Sequence, residues 1–500
     1  MGSRRVAWGK LLTAVLLVIG VASAVTLVTI GETGGIDEAL FVAIMAVVTV
    51  AALVSIEFGL LALIFVASVD GFLKGLSPGW HTQLLKDYIL AICLLRWAWL
   101  SVLGHRRRSA TTRVGWAVGL FSLWCFVELF NARNFNFIMA VAGFRVWVIW
   151  LPVFFLAYDA MRTRRQVERF VVFVTALMLP LAAYAIVQYQ IGLDHLYALG
   201  EGFDVYLKSQ YATEAYEIEL RPPSTMISPH SLAGACVMAL CLGMGGIGYY
   251  HRRGRAQALM LVSMSLVGIA LLITAVRNAY GSAFAGLLVV LGLVRRPDLI
   301  LAVMLVGGVA AWQVDALTGG NALARLNTIV TDPVYTRMRI VTPWKSALFW
   351  ANRHPFGGGV STGVGVGRVL EEDIADVSYA PEFRTPWAEN DYARALIELG
   401  VPGLLLFTGM LAVCLLEIFR AYRAAREPRD RWLIAGILAA VVTMMLRLTV
   451  GSALYGWPEG ILFWCYVAIA LRLPEIEDEE LRQVARPLTT AVVRPARAAR

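Results

Sequence analysis

LLITAVRNAYGSAFAGLLVVLGLVRR, residues 271–296, decides how the chain folds. Two apolar runs meet at one arginine, Arg277, with almost no loop between them, and the second run ends on Arg295 and Arg296. Period-two alternation is missing, and helix formers and glycine fill both runs, so they read as a helical hairpin rather than strands. About 20 such residues cross the ~30 Å hydrocarbon core of a bilayer. The arginine pair then belongs on the cytoplasmic side and Arg277 on the other. A guanidinium near a helix centre costs about 2.5–3.5 kcal/mol on insertion scales, and less at the interface. Arg277 therefore calls for an anionic partner or a water-filled cavity.

The same pattern runs along the chain. Hydrophobic residues are 59% of the 500 and charged residues 16%, with a mean hydropathy of +0.68, which excludes an ordinary soluble domain. Spans read at 8–30, 37–55, 57–73, 87–104, 114–131, 137–159, 167–191, 226–249, 256–275, 278–294, 298–315, 401–420, 431–452 and 457–473. The expected fold is an all-α polytopic membrane protein with about 14 transmembrane helices (12–14) and a large extracytoplasmic helical loop. The loops 105–113, 162–169, 251–255, 295–296 and 420–431 are short and basic, and all fall on one parity. That side is the cytoplasm, and both termini lie there.

The organisation follows. Residues 1–191 hold the N-terminal helices and 192–225 an external loop. Residues 226–315 hold central helices with Arg277, 316–400 a large external segment, 401–473 the last helices and 474–500 a cytoplasmic tail with a short helix and a basic end. MGSRRVAWGKLLTAVLLVIGVASA, the first 24 residues, fits a signal anchor. The net charge of +9 reflects basic cytoplasmic loops, so no nucleic-acid partner is expected. The six cysteines lie in apolar runs without metal-ligand spacing, so neither disulfide nor metal site is expected. No G-x-x-x-x-G-K-[ST] is present. Any chemistry must then start from an already activated substrate.

The external segments concentrate candidate chemistry. In ELRPPSTMISPHSLAGA, residues 219–235, Pro222 and Pro223 end a loop that carries Arg221, and Pro229 interrupts the start of the next helix. Two arginines at one face suit a doubly charged phosphate group, which guanidinium forks grip without a metal. TRMRIVTPWKSALFWANRHPFGGGVSTGVGVG, residues 336–367, reads as an amphipathic helix ending near His354–Pro355, followed by glycines. Trp344, Ala347, Leu348, Trp350 and Ala351 form its apolar face, suited to the membrane interface. Glycines at 357–359, 363, 365 and 367 permit close approach to a sugar or phosphate, or a flexible lid. In WAENDYARALIELGVPG, residues 387–403, Arg394 can pair with Asp391 and Glu398, which leaves Glu389 as an ion-pair member or a general base.

Three motifs together resemble the O-antigen ligase and O-antigen polymerase superfamily of membrane glycosyltransferases. They are RPPSTMISPHSLAGA at 221–235, ITAVRNAYGSAFAGLL at 273–288 and ENDYARALIELGVPGLLLF at 389–407, and the likeness spans about residues 215–420. The resemblance implies a GT-C-like fold and metal-independent, usually inverting transfer of a glycan from undecaprenyl diphosphate at the external face of the bacterial inner membrane. It implies no cofactor. By position, Arg221 and Arg277 would hold the diphosphate, Glu389 would take the hydroxyl proton and Asn390 would orient it or the sugar. Arg337, Arg339, His230, Tyr392 and Arg145 complete the substrate-binding candidates. Two positions depart from the family pattern: Glu389 stands for a frequent histidine, and His230 for an asparagine after proline. The expected partners are a lipid-linked oligosaccharide donor, a glycan or lipid-linked glycan acceptor, membrane lipids, and association with a flippase and a chain-length regulator. A polymerase is the preferred reading and a ligase stays open. A lipid-linked glycan transporter is a further alternative, to which Arg96, Glu128 and Arg145 inside predicted spans would contribute.

Overall fold

The computed structural model describes residues 36–76, 80–103, 109–134, 136–197, 202–203, 221–251, 253–294, 337–362 and 390–491. The spans expected at 8–30 and 298–315 lie outside them, as do Glu389 and glycines 363, 365 and 367.

Among the described residues the chain is helical and has no strand. The main helices are α1 (Ile36–Val54), α2 (Ile56–Leu76), α3 (Trp80–Val102), α4 (Arg113–Glu128), α5 (Phe137–Val148), α6 (Leu151–Ala160) and α7 (Arg164–Ile191). They continue as α8 (Pro229–Tyr249), α9 (Gly254–Ile273), α10 (Arg277–Val294), α11 (Thr342–Arg353), α12 (Asp391–Ala424), α13 (Pro428–Arg447) and α14 (Glu459–Ala491). Polar caps set several starts. The Thr112, Asn136 and Ser228 side chains accept from the backbone N–H three residues on, and Thr163 and Gln166 form a reciprocal capping box.

Six of these helices, α2, α7, α8, α9, α10 and α12, are long and apolar enough to cross a membrane. The chain is thus a helical membrane protein. The span read at 137–159 is a pair, α5 and α6, bent by 40°. Pro152 sits in the first turn of α6, where its ring and missing N–H are tolerated, whereas an unbroken helix would place it in the interior. Pro229 also corrects an expectation. It opens α8 behind the Ser228 cap instead of interrupting it, so the helix start is satisfied locally. The tail likewise is no separate helix, because α14 continues unbroken from the last span to Ala491.

At the centre α8 is 78% buried over its apolar window. It packs on α9, α10, α13 and α14. Its closest neighbour is α13: a Cβ on Gly245 would lie 2.7 Å from the Trp432 carbonyl oxygen, and one on Gly436 2.5 Å from that of Cys241. Only small residues let two backbones come this near.

The helix ends sort into two groups. At one end Arg164 reaches Asp430, Glu427 and Glu480 at 2.6, 3.0 and 2.6 Å. There too Glu57 accepts from Gln166 and Arg169, Glu168 pairs with Arg253, and Glu477 accepts from the backbone N–H groups of Arg426 and Glu427. These bonds hold the extension of α14 against the starts of α7 and α13. The other end brings together the segment 221–228, the α9–α10 corner, the start of α12 and the loop 448–458. The described parts of the basic loops 162–169, 251–255 and 420–431 fall in the first group.

Candidate active site

The turn between α9 and α10 comprises only Thr274, Ala275 and Val276. Ala275 is buried at φ +54°, in the left-handed region that a residue with a Cβ adopts only under constraint. Arg277 is the first residue of α10. The positive end of a helix dipole disfavours a cation there by about 0.3–1 kcal/mol, and an anion at this corner would relieve both charge and dipole. Arg221 is brought to the same corner: its Nε donates to the carbonyl of Thr274 at 3.1 Å. The two arginines lie 56 positions apart in sequence, yet one turn receives both.

A third arginine, Arg447, lies beside them. It ends α13, pairs with Glu459 at the start of α14, and donates to the carbonyl of His230 at 3.4 Å. It is 4% exposed and Glu459 3%. Gly234 makes room for the pair, since a Cβ there would lie 1.7 Å from a Glu459 oxygen. Asn278, next to Arg277, faces Gly451 in the loop between the two. The sequence reading passed over Arg447 and Glu459. The available signal was one charge of each sign at the same-side ends of consecutive apolar spans.

The start of α12 forms the floor. Asn390 is fully buried: its Oδ1 accepts from the N–H groups of Tyr392 and Ala393, and its Nδ2 donates to Thr449 O at 2.8 Å. It caps the helix and ties it to the 448–458 loop. Asp391 accepts from the Tyr455 hydroxyl and the Ala453 N–H, rather than pairing with Arg394. Arg394 pairs with Glu398 as expected, at 2.5 Å. Trp147 also donates to Glu398, and the Arg394 guanidinium lies 5.1 and 4.8 Å from the Trp147 and Tyr455 rings. Tyr392 donates to Met445 O at 3.1 Å.

The remaining candidates are placed as follows. His230 is exposed in the first turn of α8. Arg337 is exposed in the π-helical turn Arg337–Val341 that leads into α11, and Arg339 belongs to the same turn. Arg145 pairs with Asp87 and so joins α5 to α3.

The glycine run has a packing role. Gly357 and Gly359 adopt φ +97° and +92°. Gly358 and Gly359 donate to the carbonyls of Ile397 and Glu398 at 2.9 and 3.0 Å, and Val401 donates to Pro355. The run docks against the break in α12 at Gly400, where φ is +69°. Gly357 thus lies against the α12 backbone, and Gly359 against the Asn134 side chain. The α11 helix behaves likewise: Ala347 packs on Ala393 and Leu396 of α12, while Leu348 stays 55% exposed. His354, which ends α11, is held below its usual pKa by desolvation first, then by Arg133 and Arg353. Among the described residues no three His, Cys, Asp or Glu side chains are grouped as a metal ligand set.

Two of the three motifs that meet at this end fall in one stretch of sequence. Residues 259–408 match the O-antigen ligase family model. The match takes in the Arg277 motif and the start of α12, and it supports the ligase and polymerase likeness read from the motifs. Arg221 and Arg447 lie outside it. No match is found among curated proteins.

Proposed function

We propose that the protein is a membrane glycosyltransferase that moves a glycan from undecaprenyl diphosphate to an acceptor hydroxyl at the external membrane face. The observation that carries this reading is the meeting of Arg221 with the corner that begins α10 at Arg277, within a chain bearing an O-antigen ligase match. The two guanidinium groups would grip the diphosphate. As the acceptor oxygen attacks the anomeric carbon, the bond from that carbon to the diphosphate oxygen breaks. The lipid diphosphate departs with the electron pair, and its growing charge is stabilised by the arginines. The hydroxyl proton passes to the Glu389 carboxylate. Attack opposite the leaving group inverts the anomeric centre. Exposed Arg337, together with Arg339 and His230, would contact the glycan.

Fourteen spans with both termini in the cytoplasm, and a GT-C-like arrangement, belong to this proposal. With a growing lipid-linked glycan as acceptor, the protein is a polymerase of a cell-surface polysaccharide. The O-antigen ligase match favours a second reading, in which the acceptor is another lipid or a protein. Purified protein incubated with a synthetic undecaprenyl-diphosphate oligosaccharide tests both. Longer lipid-linked glycans are expected of the polymerase, and transfer only to a separately added acceptor selects the ligase. No turnover with any acceptor overturns the proposal. Labelling of single cysteines placed in 316–400 from outside intact cells tests the sidedness.

A further inference from the structure

The last turns of α2 touch both segments that frame the candidate site. Toward 221–228, the Phe72 N–H donates to Thr225 O at 3.0 Å and the Thr225 hydroxyl to Ser68 O at 2.8 Å. Gly71 sits so close that a Cβ on it would lie 2.2 Å from the Met226 carbonyl oxygen. Toward 448–458, the Trp457 indole N–H donates to Asp70 at 2.8 Å. Asp70 also accepts from Lys86 of α3 and pairs with Lys74 at 3.0 Å. The two ammonium groups lie 4.3 and 5.0 Å from the Trp457 ring centroid. Asp70 and Lys86 are 1% and 2% exposed. Burying such a pair is weak support for stability, since well-packed apolar residues would often serve as well. What it does supply is direction. One carboxylate fixes the indole by its N–H while the ammonium groups hold its ring.

We infer that residues 68–74 of α2 are a positioning bracket, which sets the segment carrying Arg221 against the loop bounded by Arg447 and Glu459. Gly71 grips one side by close backbone approach, and Asp70 grips the other through Trp457. The spacing between the guanidinium groups of Arg221 and Arg447 then depends on the contacts that α2 makes with Thr225, Met226 and Trp457. The bracket lies in the first 80 residues, far outside the O-antigen ligase match. Its catalytic consequence rests on the transferase reading; its mechanical part does not.

The test is amide hydrogen exchange on the full chain in detergent micelles, together with turnover of the undecaprenyl-diphosphate oligosaccharide. Gly71→Ala is expected to raise exchange across 221–228, and Asp70→Asn across 448–458. Both should leave 164–169 and 426–430 at the opposite end unchanged. Displacing a reacting group by about 1 Å can cost about 100-fold, so kcat should fall toward that extent while the acceptor KM holds. Lys86→Arg keeps a cation on Asp70 and should retain both protection and turnover. Unchanged exchange in the two segments overturns the bracket. Equal loosening of both ends makes it a matter of stability alone and also overturns it. Local loosening with unaltered kcat removes the positioning role. If the native protein shows no turnover at all, the transferase reading fails while the exchange pattern still decides the bracket.

Discussion

The two ends of the bundle use their arginines differently. At the end with the basic loops, Arg164 is met by three carboxylates, and Glu57 accepts from a glutamine and an arginine. At the other end Arg221 donates to a backbone carbonyl, while Arg447 and Arg394 each pair with one carboxylate, Glu459 and Glu398. Several carboxylates around one guanidinium fix it from more than one side, whereas a carbonyl or a single carboxylate orients it from one. The first end is built to lock helix termini. The second sets its arginines at breaks between helices: the Ala275 turn and the 448–458 loop.

That contrast can be broken by substitution. The largest effect is expected for Arg221→Ala and Arg277→Ala, each lowering turnover of the lipid-diphosphate oligosaccharide by about 10²–10³-fold while the protein still elutes as a folded species from size exclusion. Equal activity in either variant would remove the distinction between the ends. Glu389→Gln should lower kcat by about 10²–10⁴-fold with the donor still bound, as measured by burst and steady-state kinetics. Arg164→Met should do the reverse. It leaves Asp430 buried without its cation and should destabilise by about 3–5 kcal/mol, seen as a lower melting temperature, yet its kcat below that temperature should stay near native. Asn390→Ala removes a cap and should cost about 0.5–2 kcal/mol in the same melt. The smallest change belongs to Arg145→Ala. Its ion pair is 44% exposed on the arginine side, so stability should shift by about 1 kcal/mol or less. A raised donor KM in that variant would mark Arg145 as a substrate contact.

Much of this was legible in the residues themselves. Hydropathy and the parity of basic loops predict the helices and their alternation, because a bilayer penalises unpaired backbone and charge along its whole thickness. The motif around Arg277 predicts a short corner, and LGVPG predicts the break at Gly400. The Arg394–Glu398 pair follows from helical spacing alone. Other contacts depend on neighbours far away in sequence. The N–H groups of Gly358 and Gly359 find the carbonyls of Ile397 and Glu398. The bond from Asn390 to Thr449, which ties the start of α12 to the 448–458 loop, is likewise invisible in the local sequence.

Sequence by itself determined that this is a helical membrane protein and that Arg221 and Arg277 lie toward the side opposite the basic loops. Those properties are local: each depends on a window of some twenty residues and the solvent it meets. Tertiary structure alone decided that Arg221 joins the Arg277 corner, that Arg447 and Glu459 stand beside them, and that α2 grips both segments. Such choices depend on which backbones can approach one another, and that is set by packing between helices that are distant along the chain.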